Sequence, residues 1–137
     1  MIANRQQRRS SCPINASLEV LGDRWSLLIV RDMLFGGART YKDFQASDEG
    51  IATNVLADRL TKLQDAGIIV SERNPEDGRS HIYRLTLKGV DLVPVLMELS
   101  AWGTRYEEGQ PPRGILSAWQ ADRDGFVAEI KRTAERR

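Results

Sequence analysis

Only one cysteine, Cys12, and one histidine, His81, occur in 137 residues. One thiol cannot close a disulfide within the chain, and one histidine with one cysteine cannot build a structural zinc site at any usual spacing, so no metal and no cofactor is expected. No apolar run approaches the roughly 20 residues needed to span a bilayer, which excludes a helical membrane protein. The basic opening MIANRQQRRSSC is not followed by the apolar stretch of a secretory signal, so the expected location is the cytoplasm. Internal repeats and low-complexity linkers are missing as well. So are a nucleophile elbow, a phosphate-binding GxxxxGK loop and an HExxH motif, and an enzyme is not expected. A thiol catalyst built on Cys12 would need a base, and His81 lies far away in sequence.

Charge of one sign is also scarce. The net charge is +1, and between positions 39 and 81 acidic residues outnumber basic ones. Charge alone therefore does not announce a nucleic-acid partner. The exception is the N-terminus, where Arg5, Arg8 and Arg9 precede any acidic residue; this arm either touches DNA or is unstructured.

With 41% hydrophobic and 28% charged residues, the chain has the composition of a globular domain large enough to bury a core. The spacing of Ile14, Leu18 and Leu21 predicts a first helix that stops at Gly22. Asp23 stands where a helix cap is wanted, and Trp25, Leu28, Ile29, Met33 and Leu34 share one broad face of a second, nearly buried helix ending at Gly36-Gly37. Thr40 with Asp43 has the form of a capping box, and Tyr41 and Phe44 give a short third helix its apolar face. Residues 46–50 form a turn. Ala52, Leu56, Leu60 and Leu63 fall in one sector of a fourth helix, with Asn54, Asp58 and Thr61 opposite and Gly67 as a left-handed cap.

The runs IIVSER and SHIYRLT, separated by NPEDGR with its Pro75 and Gly78, predict a hairpin. Leu92, Leu96, Leu99 and Trp102 then mark a long helix with Pro94 in its first turn. Pro111-Pro112 breaks the chain, and Leu116, Trp119, Phe126 and Ile130 mark one further amphipathic helix over 115–137. The expected organisation is a basic arm over 1–11, a folded domain over 12–110 and a C-terminal helix over 111–137.

This order is that of a winged helix-turn-helix: mainly α with a small β-hairpin wing, an α+β fold flanked by N- and C-terminal dimerisation helices. The fourth helix would enter a major groove of double-stranded DNA, with the hairpin against the adjacent backbone. Thr53 and Asn54 open that helix, and Asn suits adenine while Thr suits a thymine methyl or a phosphate. Arg39, Thr40, Lys42, Lys62, Arg73 and Arg79 are spaced along the flanks and wing for phosphate contact. Acidic Asp48, Glu49, Asp58, Glu76 and Asp77 limit the footprint.

Several of these residues, taken in order, resemble the HxlR family of bacterial regulators: Cys12-Pro13, Gly22-Asp23-Arg24-Trp25-Ser26-Leu27-Leu28-Ile29, Gly50-Ile51, Val55-Leu56, Arg59-Leu60, Leu63, Gly67-Ile68, Tyr83-Arg84-Leu85-Thr86, Gly89 and Trp102. The resemblance covers roughly 12–106. It implies a MarR-like winged-helix homodimer on a pseudo-palindromic operator, most often a repressor. It also implies response to an oxidant or small electrophile through a cysteine near the N-terminus, here Cys12. Three places depart from the family pattern. Ala52 replaces the hydroxylic residue that usually opens the reading helix, leaving Asp48 or Glu49 as the cap; Asn54 stands where a basic residue is common; and the wing turn PEDGR looks more like that of the MarR family.

Each assignment has a structural counterpart. Cys12 is either a half-buried residue at a dimer surface or a sensor that pairs across subunits or with a small thiol. Arg59 is either a phosphate contact or half of an ion pair. His81 is either solvated on its strand or a minor-groove contact. Ile14, Leu18, Trp102, Leu116, Trp119, Phe126 and Ile130 are expected at a dimer interface. A winged-helix protein-interaction module, or a regulator switched by a non-covalent ligand, stand as alternatives; the first should expose apolar rather than polar residues around Thr53 and Asn54.

Overall fold

In the computed structural model, which describes residues 10–135, the chain divides into two compact units, Met1–Gly89 and Val90–Arg137. The arm residues Arg5, Arg8 and Arg9 lie outside the described residues.

The first unit opens with α1 (Pro13–Leu21) and α2 (Ser26–Leu34). Proline at the start of α1 costs no hydrogen bond, since that N–H has no partner within the helix. Asp23 acts as the sequence suggests: its Oδ1 accepts from the Trp25 and Ser26 N–H groups at 2.7 and 2.9 Å. Ile29, Val30, Met33 and Leu34 of α2 are buried, as expected of that helix. Helix α3 (Tyr41–Gln45) carries the full capping box, with Thr40 accepting from the Asp43 N–H and the Asp43 carboxylate accepting from the Thr40 N–H. Helix α4 (Thr53–Asp65) buries Leu56, Leu60 and Leu63, each worth roughly 1.5–3 kcal/mol of transfer free energy. Gly67 follows with φ +75°, the left-handed conformation that ends a helix. The Lys88 ammonium donates to the Ala66 carbonyl at 2.6 Å, placing positive charge at the negative end of α4.

Strands β1 (Ile69–Arg73) and β2 (His81–Leu85) pair antiparallel, Ile69 opposite Leu85 and Arg73 opposite His81. Ile69 and Ile82 are buried. The Tyr83 N–H donates to the Arg39 carbonyl at 2.8 Å, stitching the hairpin to the segment that leads into α3. After the hairpin comes α5 (Leu87–Val90). Gly89 packs so closely that a Cβ there would lie 2.4 Å from the Ile68 carbonyl oxygen, so α5 can only lie against the residue leading into β1 if position 89 has no side chain. Helices followed by a two-stranded wing in this order make a winged helix-turn-helix.

The second unit holds α6 (Val93–Tyr106), α7 (Ile115–Ala121) and α8 (Arg123–Glu135). Pro94 lies in the first turn of α6 as expected. The single tail helix expected over 115–137 is instead two. Asp122 takes up extended geometry (φ −156°, ψ 88°) and its Oδ1 accepts from the Gly125 N–H at 3.0 Å, stopping α7 and starting α8. The break puts Trp119 inside the unit. It is 3% exposed, donates from Nε1 to Glu98 Oε1 at 3.1 Å and meets the Phe126 ring edge-on at 5.7 Å between centroids. Expected at a dimer surface, Trp119 is a core residue of its own chain.

Candidate nucleic-acid interface

Helix α4 presents a polar outer face. Thr53, Asn54, Asp58, Thr61 and Lys62 are all exposed, because the leucines at 56, 60 and 63 occupy the inner side. Two bonds from α3 fix the start of this helix: the Tyr41 hydroxyl donates to the Thr53 carbonyl at 2.8 Å, and Gln45 Nε2 donates to Thr53 Oγ1 at 3.3 Å. The Thr53 hydroxyl thus keeps its own proton for a further acceptor. Neither Tyr41 nor Gln45 was singled out from sequence as a site residue; their signal is the spacing that brings the end of one helix against the start of the next.

Ala52 provides no side-chain cap to α4, and neither expected substitute, Asp48 or Glu49, shows a bond to the first turn of the helix among the described residues. Glu49 instead binds Arg31 Nη1 at 3.0 Å and lies 3.8 Å from Arg24 Nη2, fastening the turn between α3 and α4 to α2. The first N–H groups of α4 are consequently left for an outside acceptor, at the positive end of the helix dipole.

The cations expected to neutralise phosphate divide into two sets. Among the described residues, Lys42, Arg73 and Arg79 are exposed and show no ion pair. Lys62 lies 3.2 Å from Asp58, but both are well exposed, so that pair is weak and exchangeable. Arg59 is committed elsewhere: its Nε lies 3.0 Å from Asp23 Oδ1 and its Nη1 pairs with Asp58. Arg39 and Thr40 line an open cleft of about 580 Å³ shared with Asp43, Arg73, Asn74 and Arg84, and Arg39 Nε is buried there without a hydrogen-bond partner. His81 opens β2 and is exposed.

The tip of the wing is held by short-range bonds. The Asn74 N–H donates to the Ser80 carbonyl at 2.9 Å, Asn74 Oδ1 accepts from the Glu76 N–H and Asp77 Oδ1 from the Arg79 N–H. The Asp77 carboxylate is therefore partly spent on shaping the turn that carries Arg79, while Glu76 joins that turn through its backbone N–H. Across the strands Arg84 pairs with Glu72 at 2.7 Å.

Two carboxylates in this unit are held below the usual carboxylate range. For Asp43 the Arg39 N–H bond dominates, against partial burial, with the Thr40 N–H and hydroxyl adding to it. For Asp23 partial burial works upward, but hydrogen bonds from the Ser26 side chain and from the Ser26 and Trp25 N–H groups, with the Arg59 charge, outweigh it.

Of the residues expected at a dimer interface, Ile14 and Leu18 on α1 and Trp102 on α6 are exposed, whereas Leu116, Phe126 and Ile130 are half-buried. On α6 the exposed set is Val95, Leu99, Trp102 and Tyr106, a stripe at helical spacing in which only Trp102 is expected at the interface from sequence. Cys12 is exposed and immediately precedes α1. No helix among the described residues is long and apolar enough to cross a membrane, and no cluster of metal-ligating side chains occurs among them.

Residues 20–111 match the model of the HxlR-like helix-turn-helix family. An uncharacterised HTH-type transcriptional regulator of Mycobacterium tuberculosis is 36% identical over 101 residues, 72% of this chain and 63% of that protein, so this chain spans less than two thirds of its relative's length. The HTH-type transcriptional regulator YodB of Bacillus subtilis is 33% identical over 98 residues, 71% of this chain and 87% of YodB. Its reduced form superposes with a TM-score of 0.58 at 31% identity over 74% of this chain and all of that one; YodB is also known diamide-treated and quinone-bound. PA1607 superposes with a TM-score of 0.66 at 41% identity over 79% of this chain and 72% of that chain.

Proposed function

The chain belongs to the HxlR-like helix-turn-helix family of transcriptional regulators, and from that premise we propose that it is a sequence-specific DNA-binding repressor acting as a homodimer on a pseudo-palindrome. The observation that carries the reading is the start of α4: exposed Thr53 and Asn54 at a helix N-terminus with no side-chain cap of its own. Asn54 reads a base edge, and the free N–H groups with the Thr53 hydroxyl take a phosphate. Lys42, Arg73, Arg79 and Lys62 supply the salt-dependent attraction, with Arg39, Thr40 and His81 beside them. A protein-interaction module would put apolar side chains where α4 puts Thr, Asn, Asp and Lys.

Residues 1–11 serve in this account as a basic arm, 12–110 as the reading domain and 111–137 as support for dimerisation. The contact between subunits uses the apolar residues left exposed on α1 and α6, Ile14, Leu18, Leu99 and Trp102 among them. Two reading helices then meet successive major grooves about 34–36 Å apart. Cys12, exposed at the start of α1, is the point at which an oxidant or electrophile acts, and the diamide-treated and quinone-bound forms of YodB support this. With one thiol per chain, oxidation gives a disulfide between subunits or with a small thiol, whereas addition to an electrophile gives a thioether adduct.

The test is binding of the purified protein to the DNA upstream of its own gene and to a random duplex, reduced and after diamide. Preference for the upstream DNA, lost on diamide treatment in the wild type and kept in Cys12→Ser, is the expected result. Preference that survives diamide unchanged in the wild type removes the thiol switch and favours a non-covalent ligand. Absence of any preference removes the DNA-reading function.

A further inference from the structure

Arg59 differs from the other cations around the reading helix. Its side chain is 21% accessible, against 65% for Lys62 three residues on, and its Nε is 3.0 Å from Asp23 Oδ1. A phosphate contact must leave water to meet its target and is normally exposed and weakly paired beforehand. Arg59 is neither.

Its partner is a prepared acceptor. Asp23, in the junction between α1 and α2, receives the Trp25 and Ser26 N–H groups on Oδ1 and the Ser26 hydroxyl on Oδ2, the last at 2.5 Å. Ser26 itself is buried. The carboxylate is thus pinned to the first turn of α2 by three hydrogen bonds that do not involve α4. Arg59 Nε is buried and makes no aligned hydrogen bond, so its link to the pinned carboxylate is a close charge contact, and with the two side chains 27% and 21% accessible that contact is partly shielded from water.

We infer that Asp23 and Arg59 are positioning residues that set the orientation of the reading helix α4 relative to α2, and that Arg59 does not bind phosphate. The inference rests on the DNA-reading function proposed above. Asp58 joins the same arginine from the α4 side, so Arg59 is neutralised twice and adds little net attraction for a polyanion.

The sign of one substitution makes the inference testable. Asp23→Asn removes a negative charge from a DNA-binding unit, and by charge alone it should tighten binding to any duplex. If Asp23 aims the helix, it should instead weaken binding to the operator and not to random DNA. The experiment uses the full chain and a duplex that the wild type selects from a random pool, with a random duplex as control, across a range of salt concentrations and at a temperature where melting curves show every variant folded. Asp23→Asn and Arg59→Gln are each expected to weaken operator binding roughly 5- to 30-fold, to leave random-duplex binding within about two-fold, and to preserve the slope of log affinity against log salt. The double variant should be no weaker than Arg59→Gln alone. Asp23→Glu, which keeps the charge but moves it by one methylene, should also lose operator affinity. Operator binding by Asp23→Asn as tight as wild type, or a salt slope that falls by about one in Arg59→Gln as for a lost phosphate contact, overturns the inference. A wild type that selects no duplex overturns the DNA-reading function and this inference with it.

Discussion

The Tyr41 hydroxyl donates to the Thr53 carbonyl at 2.8 Å, so the first residue of α4 is held by the helix before it. The bond is exposed, and its net value is about 1 kcal/mol or less. Tyr41→Phe should lower the urea midpoint by that small amount while weakening operator binding more than random-duplex binding. Equal weakening on both duplexes would remove Tyr41 from the aiming of α4.

Lys42, Arg73 and Arg79 have no ion pair among the described residues, and at the wing tip the Asp77 carboxylate is spent on its own turn. Each changed singly to Ala should weaken binding on operator and random duplex alike and lower the salt slope by about one. A variant that loses only operator affinity is reading sequence instead, and its place in the account changes.

Leu99 and Trp102 are 51% and 56% exposed on α6, so a charge at either position should leave the chain folded. The wild type is expected to sediment as a dimer at micromolar concentration and Leu99→Glu as a monomer, with operator affinity lost together with dimerisation. A Leu99→Glu dimer would mean that the subunits meet elsewhere.

Asp43 and Asp23 both titrate below the usual carboxylate value of 3.8 in the folded chain. The unfolded state therefore binds more protons as the pH falls. Stability from these groups is complete above the unfolded value, near pH 4, and is lost as the pH drops through the lower folded values. Unfolding free energy should decline below about pH 4, and Asp43→Asn should flatten the decline while lowering stability at neutral pH. A decline of unchanged steepness in that variant would mean that other carboxylates govern acid unfolding.

The features legible in the sequence were those whose cause is local. The Thr40–Asp43 capping box, the left-handed Gly67, the wing turn and the inward leucines of α4 each depend on residues a few positions apart, and each appears in the structure as the spacing implies. What was not legible depends on chain segments meeting. One heptad separates Trp119 from Phe126, which suits one continuous helix equally well; only the Asp122 carboxylate bonding to the Gly125 N–H divides it, and Trp119 then turns inward to Glu98. The same holds for Glu49. Its neighbours in sequence suggested a cap for α4, but Arg31, 18 residues earlier, takes its charge. Arg59 looked equally fit for phosphate or for an ion pair because its partner Asp23 lies 36 residues away.

Whether the start of α4 reads base sequence is decided at Asn54. Wild type and Asn54→Ala would be titrated against the operator and against a set of duplexes each carrying one changed base pair per half-site. Asn54→Ala should lose about 1–3 kcal/mol on the operator, become indifferent to the base at one half-site position and bind random DNA as the wild type does. An Asn54→Ala protein that keeps both the affinity and the full base preference of the wild type would mean that the start of α4 does not read bases through this residue.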